Sequence, residues 1–319
     1  MNTAQELKEI VRQKYGAIAE QMNDGSSPDT ACGCGPSTTG PTSCCDSSRT
    51  GGSTASNVPI LMAQSYDELT GYAAQADLGL GCGLPTQFAK IKPGNVVVDL
   101  GSGAGNDCFV ARAETGETGR VIGLDMTPAM IDRARQNAKA LGFANVEFVY
   151  GDIEDMPLPR GLADVVVSNC VLNLVPDKQK AFSETYRILK PGGHFSISDI
   201  VLEGELPAGL QRDAELYVGC VSGAIQKQAY LNLVQAAGFE NIIVQKERRI
   251  ALPIDVLQQY LIPAEIVTYQ QRDNGMPARG IYSVTVFAQK PADDSGSSGA
   301  VDAVPVPTGG SCCGPECCN

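Results

Sequence analysis

Apolar residues follow two rhythms along the central part of the chain, from about residue 58 onward. Short apolar runs, typical of buried strands, alternate with segments whose apolar residues recur at helical spacing. The predicted strands are 95–100, 120–125, 145–152, 163–169 and 194–200. Helices are predicted between them, most clearly over 128–142 and 177–190. This alternation predicts an α/β fold in which helices flank a parallel sheet on both faces.

The two ends of the chain differ from this centre. A first helix begins at Thr3, because Thr3 and Glu6 fit a capping box. Residues 25–57 are rich in Gly, Ser, Thr, Pro and Cys, which predicts a long loop. After Leu210 the pattern is less regular. It predicts two helical segments followed by two strands, at 210–224, 228–239, 241–250 and 280–290.

The charge balance limits the classes of partner. The chain has 24 basic and 36 acidic residues and a formal net charge of −12, which argues against nucleic acid because phosphates require a basic surface. No apolar run approaches the length that crosses a bilayer. Residues 1–22 lack the apolar core of a signal peptide. We therefore expect a cytoplasmic protein without a nucleic-acid or membrane partner, and we predict a monomer.

Cysteine is unusually abundant for a cytoplasmic protein, with 12 residues in the chain. In a reducing compartment such cysteines are more often ligands or redox groups than structural disulfides. They cluster near both ends, and the central part contains Cys82, Cys108, Cys170 and Cys220. Cys108 is predicted to pack as a small apolar residue. Because His194 is the one histidine, a histidine-based catalytic triad is not expected.

A glycine-rich turn follows the first predicted strand, in the segment "VVVDLGSGAGND". Gly101, Gly103 and Gly105 let the backbone approach a ligand closely, and the start of the next helix offers free amide groups. Asp125 ends the following strand, where an acidic side chain can accept hydrogen bonds from both hydroxyls of a ribose. A glycine-rich turn alone is weak evidence, since such turns also arise for packing.

Two further features make the site more specific. The turn has the form G-x-G-x-G, preceded by Asp99, and differs from the dinucleotide fingerprint G-x-G-x-x-G. In "GDIEDMPLP", Asp152 and Ile153 follow the third strand, where they could meet an adenine ring. Together with "RILKPGGHFSISDI", this series resembles the Rossmann-like class I methyltransferases over about residues 90–200. The alternative is a nucleotide-binding α/β domain of another kind.

The resemblance implies a cofactor and a set of residues that contact it. The cofactor is S-adenosyl-L-methionine. The expected contacts are Asp99, Gly101, Gly103, Gly105, Asp125, Met126, Asp152, Ile153 and Asn169.

Three cysteines of the central part are candidates for the substrate site. Cys170 follows the fourth strand, at the edge of the sheet where ligands bind in such folds. Cys82 in "LGLGCGLPT" and Cys220 in "YVGCVSGAI" are both flanked or preceded by glycine. Converging thiolates select soft ions, and the absence of Cys-x2-Cys pairing among these three argues against zinc. Trivalent arsenic fits better, because it binds three sulfurs and keeps a nucleophilic lone pair. For a single isolated cysteine, the alternative is a small packing residue.

The motifs "LGCG", "SNCVLNL" and "GCVSGA" resemble those of the arsenite methyltransferases, over about residues 8–285. The resemblance implies that Cys170 and Cys220 hold the arsenic. It also implies that Cys82 and either Cys44 or Cys45 assist binding and form a disulfide during turnover, and we prefer Cys45. The implied substrates are arsenite or an arsenic–glutathione conjugate, and the implied reductant is glutathione or thioredoxin.

These readings predict four parts of the chain. They are an N-terminal helix with a Cys-rich loop (1–60), an S-adenosylmethionine-binding methyltransferase domain (61–205), substrate-covering helices with a small C-terminal α+β domain (206–290) and a disordered Cys-containing tail (291–319). Two other functions remain open at this point. One is a class I methyltransferase that acts on an organic small molecule, and the other is a metalloid-binding protein without turnover.

Overall fold

The computed structural model of the protein describes residues 3–21, 64–204, 223–252, 254–270 and 280–292. The α-helices are α1 Ala4–Gln21, α2 Pro85–Phe88, α3 Asn106–Thr115, α4 Pro128–Ala140, α5 Lys178–Ile188, α6 Lys227–Ala236, α7 Ile254–Tyr260 and α8 Pro263–Gln270. The strands are β1 Val96–Leu100, β2 Arg120–Asp125, β3 Val146–Tyr150, β4 Ala163–Asn169, β5 Leu189–Glu203, β6 Glu240–Ile250 and β7 Gly280–Gln289. Short 3-10 turns occupy Ala74–Ala76 and Leu172–Leu174.

The strands form one seven-stranded sheet in the order β3-β2-β1-β4-β5-β7-β6. Strands β1 to β5 are parallel, and β7 is antiparallel to both of its neighbours, β5 and β6. Buried apolar side chains from the sheet and its flanking helices form clusters on both faces. The α/β fold with helices on both faces of the sheet is therefore confirmed, and the sheet is parallel over β1 to β5 but mixed where β7 joins it.

Several predicted elements have the observed bounds or nearly so. Strands β2 and β4 begin and end where the apolar pattern places them. The capping box of α1 is present, because the Thr3 amide donates to Glu6 Oε2 at 2.6 Å and the Glu6 amide donates to Thr3 Oγ1 at 3.2 Å. Strand β5 differs, since it already begins at Leu189, which pairs with Ala163 across a register shift. The "PGG" segment therefore lies within this strand rather than before it.

The sheet continues across the predicted boundary between residues 205 and 206. Strand β7 is hydrogen-bonded along β5, with Ile197 opposite Val286, and it also pairs with β6. The described part of 206–290 therefore does not form a sheet of its own. Periodicity alone could not show this, because strand pairing depends on contacts between residues far apart in sequence. The Cys-rich loop and nearly all of the tail lie outside the described residues.

The register places the ends of three strands at one edge of the sheet. Leu100 of β1 lies opposite Leu124 of β2 on one side and Ser168 of β4 on the other. The glycine-rich turn, Asp125 and the segment after β4 therefore meet at this edge. None of the described helices is long and apolar enough to span a membrane.

A buried carboxyl group lies in the middle of β5. Asp199 is fully buried, and its Oδ1 accepts a hydrogen bond from the Ile200 amide at 2.9 Å. Burial raises the pKa of Asp199 to about 7, because the charged carboxylate loses its hydration. A carboxyl whose pKa is higher in the folded protein binds more protons there than in the unfolded chain. The free energy of unfolding therefore falls as the pH rises from about 4 to about 7.

We expect Asp199→Asn to become progressively more stable than the wild type as the pH rises. The amide retains an acceptor for Ile200 but cannot ionise, so its advantage should grow by about 2–3 kcal/mol between pH 5 and pH 8. Denaturant unfolding at the two pH values measures this difference. The control is Asp132→Asn, a carboxyl that is 71% exposed. An unchanged difference between Asp199→Asn and wild type across this range contradicts the account.

Candidate active site

The glycine-rich turn adopts left-handed backbone conformations at all three predicted positions. The φ angles are +69° at Gly101, +52° at Gly103 and +99° at Gly105. A Cβ atom at Gly101 would also lie 2.5 Å from a Val171 methyl, so a side chain there is excluded on two grounds. Gly105 is the N-cap of α3, and the turn therefore presents the start of this helix to the edge of the sheet.

Asp125 braces this turn from the end of β2. Its Oδ2 accepts from the Gly103 amide at 2.9 Å, and its Oδ1 accepts from the Thr127 amide at 2.8 Å. A carboxylate oxygen has more than one lone pair, so a ribose hydroxyl can share this group with the backbone amides. Burial raises the pKa of Asp125, although these backbone hydrogen bonds oppose the shift. The predicted position of this carboxylate is thus compatible with its predicted role.

A cavity opens beside the turn and Asp125, with about 1090 Å³ of empty space including its mouth. Most residues predicted to contact a cofactor line it, namely Asp99, Gly101, Gly103, Asp125, Met126, Asp152, Ile153 and Asn169. Gly105 is not among the lining residues, and its described role is to cap α3. The sequence therefore predicted most of this wall, with Gly105 supporting it from behind.

Two buried carboxyl groups line the cavity, at Asp99 and Asp107. Asp99 Oδ2 accepts from the Cys108 thiol at 3.3 Å, and burial raises the pKa of Asp99 well above its usual range. Burial also raises the pKa of Asp107, to about 6. Neither carboxyl forms an ion pair with a lysine or arginine in the described residues. A cation in the cavity would relieve both groups by favouring their charged forms.

The sequence analysis did not identify Asp107. Its position in the first turn of α3, directly after the glycine-rich turn, was the available signal. Two neutral side chains of the same wall also have buried polar atoms without a hydrogen bond to any described residue. Ser102 Oγ and Asn106 Oδ1 are buried and have no hydrogen-bond partner among the described residues. The open glycine backbone, the buried carboxyls and these orphaned polar atoms together fit S-adenosylmethionine, which carries a ribose and two positive charges.

Helix α1 forms another wall of the cavity, which the sequence analysis missed. Lys8 Nζ lies 2.6 Å from both Asp152 Oδ2 and Glu154 Oε2. Arg12 Nε donates to the Met126 carbonyl at 3.3 Å. Val11 of the same helix also lines the cavity. The Asp152 carboxylate, predicted to meet adenine, thus also anchors α1.

Two of the predicted arsenic-binding cysteines lie beside this cavity. Cys82 and Cys170 are both buried and belong to one apolar cluster, and Cys170 also lines the cavity. Cys170 has a φ of +61°, which is rare for a residue with a side chain and costs about 1–3 kcal/mol. Such strain persists mainly at functional sites, which favours a role for this thiol beyond packing.

The other predicted cysteines, Cys45 and Cys220, lie outside the described residues, as does Cys44. Within the described ranges, no three His, Cys, Asp or Glu side chains form a metal-binding group. Cys108 packs in the core beneath β1, as predicted, and its thiol donates to Asp99.

The comparisons with known proteins agree with the fold and the cavity. Residues 91–238 match a family described as a methyltransferase domain. Among solved structures, an arsenic(III) S-adenosylmethionine methyltransferase from Chlamydomonas reinhardtii is similar, with a TM-score of 0.55 and 32% identity over 66% of this chain and 68% of that chain. The fold and cavity therefore define a class I methyltransferase that depends on S-adenosylmethionine.

Two curated relatives extend the likeness beyond this domain. An arsenite methyltransferase of Halobacterium salinarum is 39% identical over 91% of this chain and 68% of its own length. An arsenite methyltransferase of Aquipseudomonas alcaligenes is 32% identical over 80% of this chain and 68% of its own length. The chain belongs to the arsenite methyltransferase family.

We expect Asp125→Ala to weaken binding of S-adenosylhomocysteine by about tenfold or more. The change removes charge-assisted hydrogen bonds of about 1.5–3 kcal/mol each and releases the Gly103 amide from its brace. Titration calorimetry measures the dissociation constant. Asp132→Ala, on the outer side of α4, serves as the control. Unchanged affinity in Asp125→Ala contradicts the assigned role.

Proposed function

We propose that this protein transfers the methyl group of S-adenosylmethionine to trivalent arsenic, supplied as arsenite or as its glutathione conjugate. The observation that carries this proposal is the position of Cys170. Cys170 is buried, has a strained backbone conformation and lines the same cavity as the glycine-rich turn and the two buried carboxyls. A soft-ion ligand and a cofactor cavity are therefore adjacent, as transfer between their occupants requires.

The carboxyl groups have a defined part in this proposal. S-adenosylmethionine, when bound, supplies an electrophilic methyl group on a positively charged sulfur. Asp99 and Asp107 are buried, and burial raises the pKa of both because an ionised carboxylate without a partner is costly there. A cation in the cavity offsets this cost. The cavity therefore favours the methyl donor, whose sulfur is positively charged, over the product S-adenosylhomocysteine, whose sulfur is neutral.

The thiols have the second part, which is to hold and orient arsenic. Each cysteine thiol displaces a hydroxyl of arsenite as water, so an As–S bond replaces an As–O bond. Cys170, Cys82 and Cys220 are the proposed ligands, and Cys220 is assigned by family resemblance alone. Arsenic held by these thiols would turn its lone pair toward the methyl group, so that an As–C bond would replace the S–C bond of the donor. Positioning, rather than acid–base catalysis, is the main contribution of the protein.

Methylation formally oxidises arsenic from the trivalent to the pentavalent state, and two electrons must return it. We assign this step to Cys82 and Cys45. The Cys45 thiol attacks the arsenic-bound sulfur of Cys82 and loses its proton, the Cys82–arsenic bond breaks and leaves its electron pair on arsenic, and a Cys45–Cys82 disulfide forms. Thioredoxin or glutathione would then reduce that disulfide by thiol exchange. The pairing rests on family resemblance.

We expect wild-type protein to convert arsenite to methylated arsenic when S-adenosylmethionine and a thiol reductant are present. Cys170→Ser and Cys220→Ser should each lower the rate by about a hundredfold or more, since a hydroxyl does not hold arsenic in place. Chromatographic separation of the arsenic species with elemental detection measures the products.

The matched control is Cys108→Ser. Cys108 is also a buried cysteine, and the serine hydroxyl that replaces its thiol can still donate to Asp99. If folded wild-type protein binds the cofactor but leaves arsenite unmethylated, the proposal is wrong. Activity retained in Cys170→Ser would instead return this cysteine to a packing role.

A further inference from the structure

The Asn169 side chain connects the two described thiol segments. Its Oδ1 accepts hydrogen bonds from the Cys82 amide at 3.0 Å and from the Gly83 amide at 3.2 Å. Its Nδ2 donates to the Gly83 carbonyl at 2.8 Å. Asn169 directly precedes Cys170 at the end of β4. The Asn169 side-chain amide therefore links the Cys82 backbone to the residue directly before Cys170.

Two further residues fix the orientation of this amide. Asn169 Nδ2 donates to Tyr66 Oη at 2.6 Å and lies 3.2 Å from Asp107 Oδ2. Tyr66 Oη in turn donates to Asp107 Oδ2 at 2.8 Å. Only acceptors surround Nδ2, and only backbone donors face Oδ1. The reversed amide would lose these bonds, so Asn169 is held in a single orientation.

Close packing explains why glycine stands on both sides of Cys82. A Cβ atom at Gly81 would lie 2.7 Å from Asn169 Nδ2, and one at Gly83 would lie 2.5 Å from Ser198 Oγ. Both distances are too short for a side chain. The "GCG" segment therefore lets the Cys82 backbone lie directly against Asn169 and β5. The groups that lie against these two glycines are therefore the Asn169 and Ser198 side chains of the protein itself.

Both thiol residues are also anchored to the sheet. Ser283 Oγ of β7 donates to the Cys82 carbonyl at 2.7 Å. The Cys170 amide donates to the Ser198 carbonyl of β5 at 2.8 Å. Asn169 joins the Cys82 and Gly83 backbone to the end of β4 through three hydrogen bonds. In their absence the Cys82 segment keeps its carbonyl anchor on Ser283 but loses these bonds to the end of β4.

We propose that Asn169 is a positioning residue that sets the separation of the Cys82 and Cys170 thiols, so that both can bind one arsenic atom. This inference rests on the proposed function, and it replaces the sequence-based assignment of Asn169 as a cofactor ligand. Its polar atoms are engaged by Tyr66, Cys82, Gly83 and Asp107. Two thiols whose positions are fixed before binding lose less conformational entropy when they bind arsenic than two mobile thiols do.

The test uses the full chain with nine other cysteines changed to serine, so that only Cys82, Cys108 and Cys170 remain of the 12. The probe is phenylarsine oxide, whose arsenic is held by two thiols. In this background Asn169→Ala should raise the dissociation constant of the probe by about tenfold, the equivalent of one or two lost hydrogen bonds. The dissociation constant of S-adenosylhomocysteine should rise by a smaller factor than that of the probe, because Asn169 also contacts Asp107 of the cofactor wall.

Ser283→Ala, which removes the carbonyl anchor of Cys82, is the second variant and should weaken probe binding by a smaller factor. It also tests the proposal if Asn169→Ala does not fold. Asn232→Ala, an exposed asparagine of α6, is the control.

The outcomes separate this inference from the proposed function. Unchanged probe affinity in Asn169→Ala overturns the inference, while methylation by the wild type can still stand. An equal loss of cofactor affinity in Asn169→Ala also overturns it, and identifies Asn169 as a cofactor ligand. If the background protein does not bind the probe before Asn169 is changed, the pairing of Cys82 with Cys170 is wrong.

Discussion

The carboxyl ends of β1, β2 and β4 lie in register at one edge of the sheet, and the whole site depends on that alignment. The glycine-rich turn follows β1, Asp125 ends β2, and Asn169 ends β4 directly before Cys170. A shift of one residue in either pairing would turn each of these side chains to the other face of the sheet. The buried apolar residues on both faces of the strands hold the register and so hold the cofactor and thiol halves of the site together.

Electrostatics adds a second constraint to this geometry. Asp99 and Asp107 are buried beside a cavity, and burial raises the pKa of both. Such groups destabilise a folded protein when they ionise without a partner. A positively charged ligand offsets that cost, which gives the cavity a preference for charge as well as for shape. The same Asp107 accepts from Tyr66 and lies next to Asn169, so the cofactor wall and the Cys82 segment share one hydrogen-bond network.

Local patterns in the sequence were sufficient to predict much of this arrangement. The strands β2 and β4, the capping box of α1 and the left-handed glycines follow from periodicity and residue type. The wall formed by Lys8 and the network around Tyr66 could not be predicted. Lys8 and Asp152 are 144 positions apart, and Tyr66 and Asn169 are 103 apart, so no local pattern encodes these contacts. The assignment of Cys45 and Cys220 stays a prediction from family resemblance.

The most direct test of the central claim is to locate arsenic in a crystal of the protein grown with arsenite and S-adenosylhomocysteine. An anomalous difference map recorded at the arsenic absorption edge shows the atom without reference to activity. The account predicts a peak bonded to the Cys170 sulfur, on the side that faces the cofactor cavity. Arsenic bound only at cysteines remote from the cavity, with the Cys170 sulfur unligated, would contradict it.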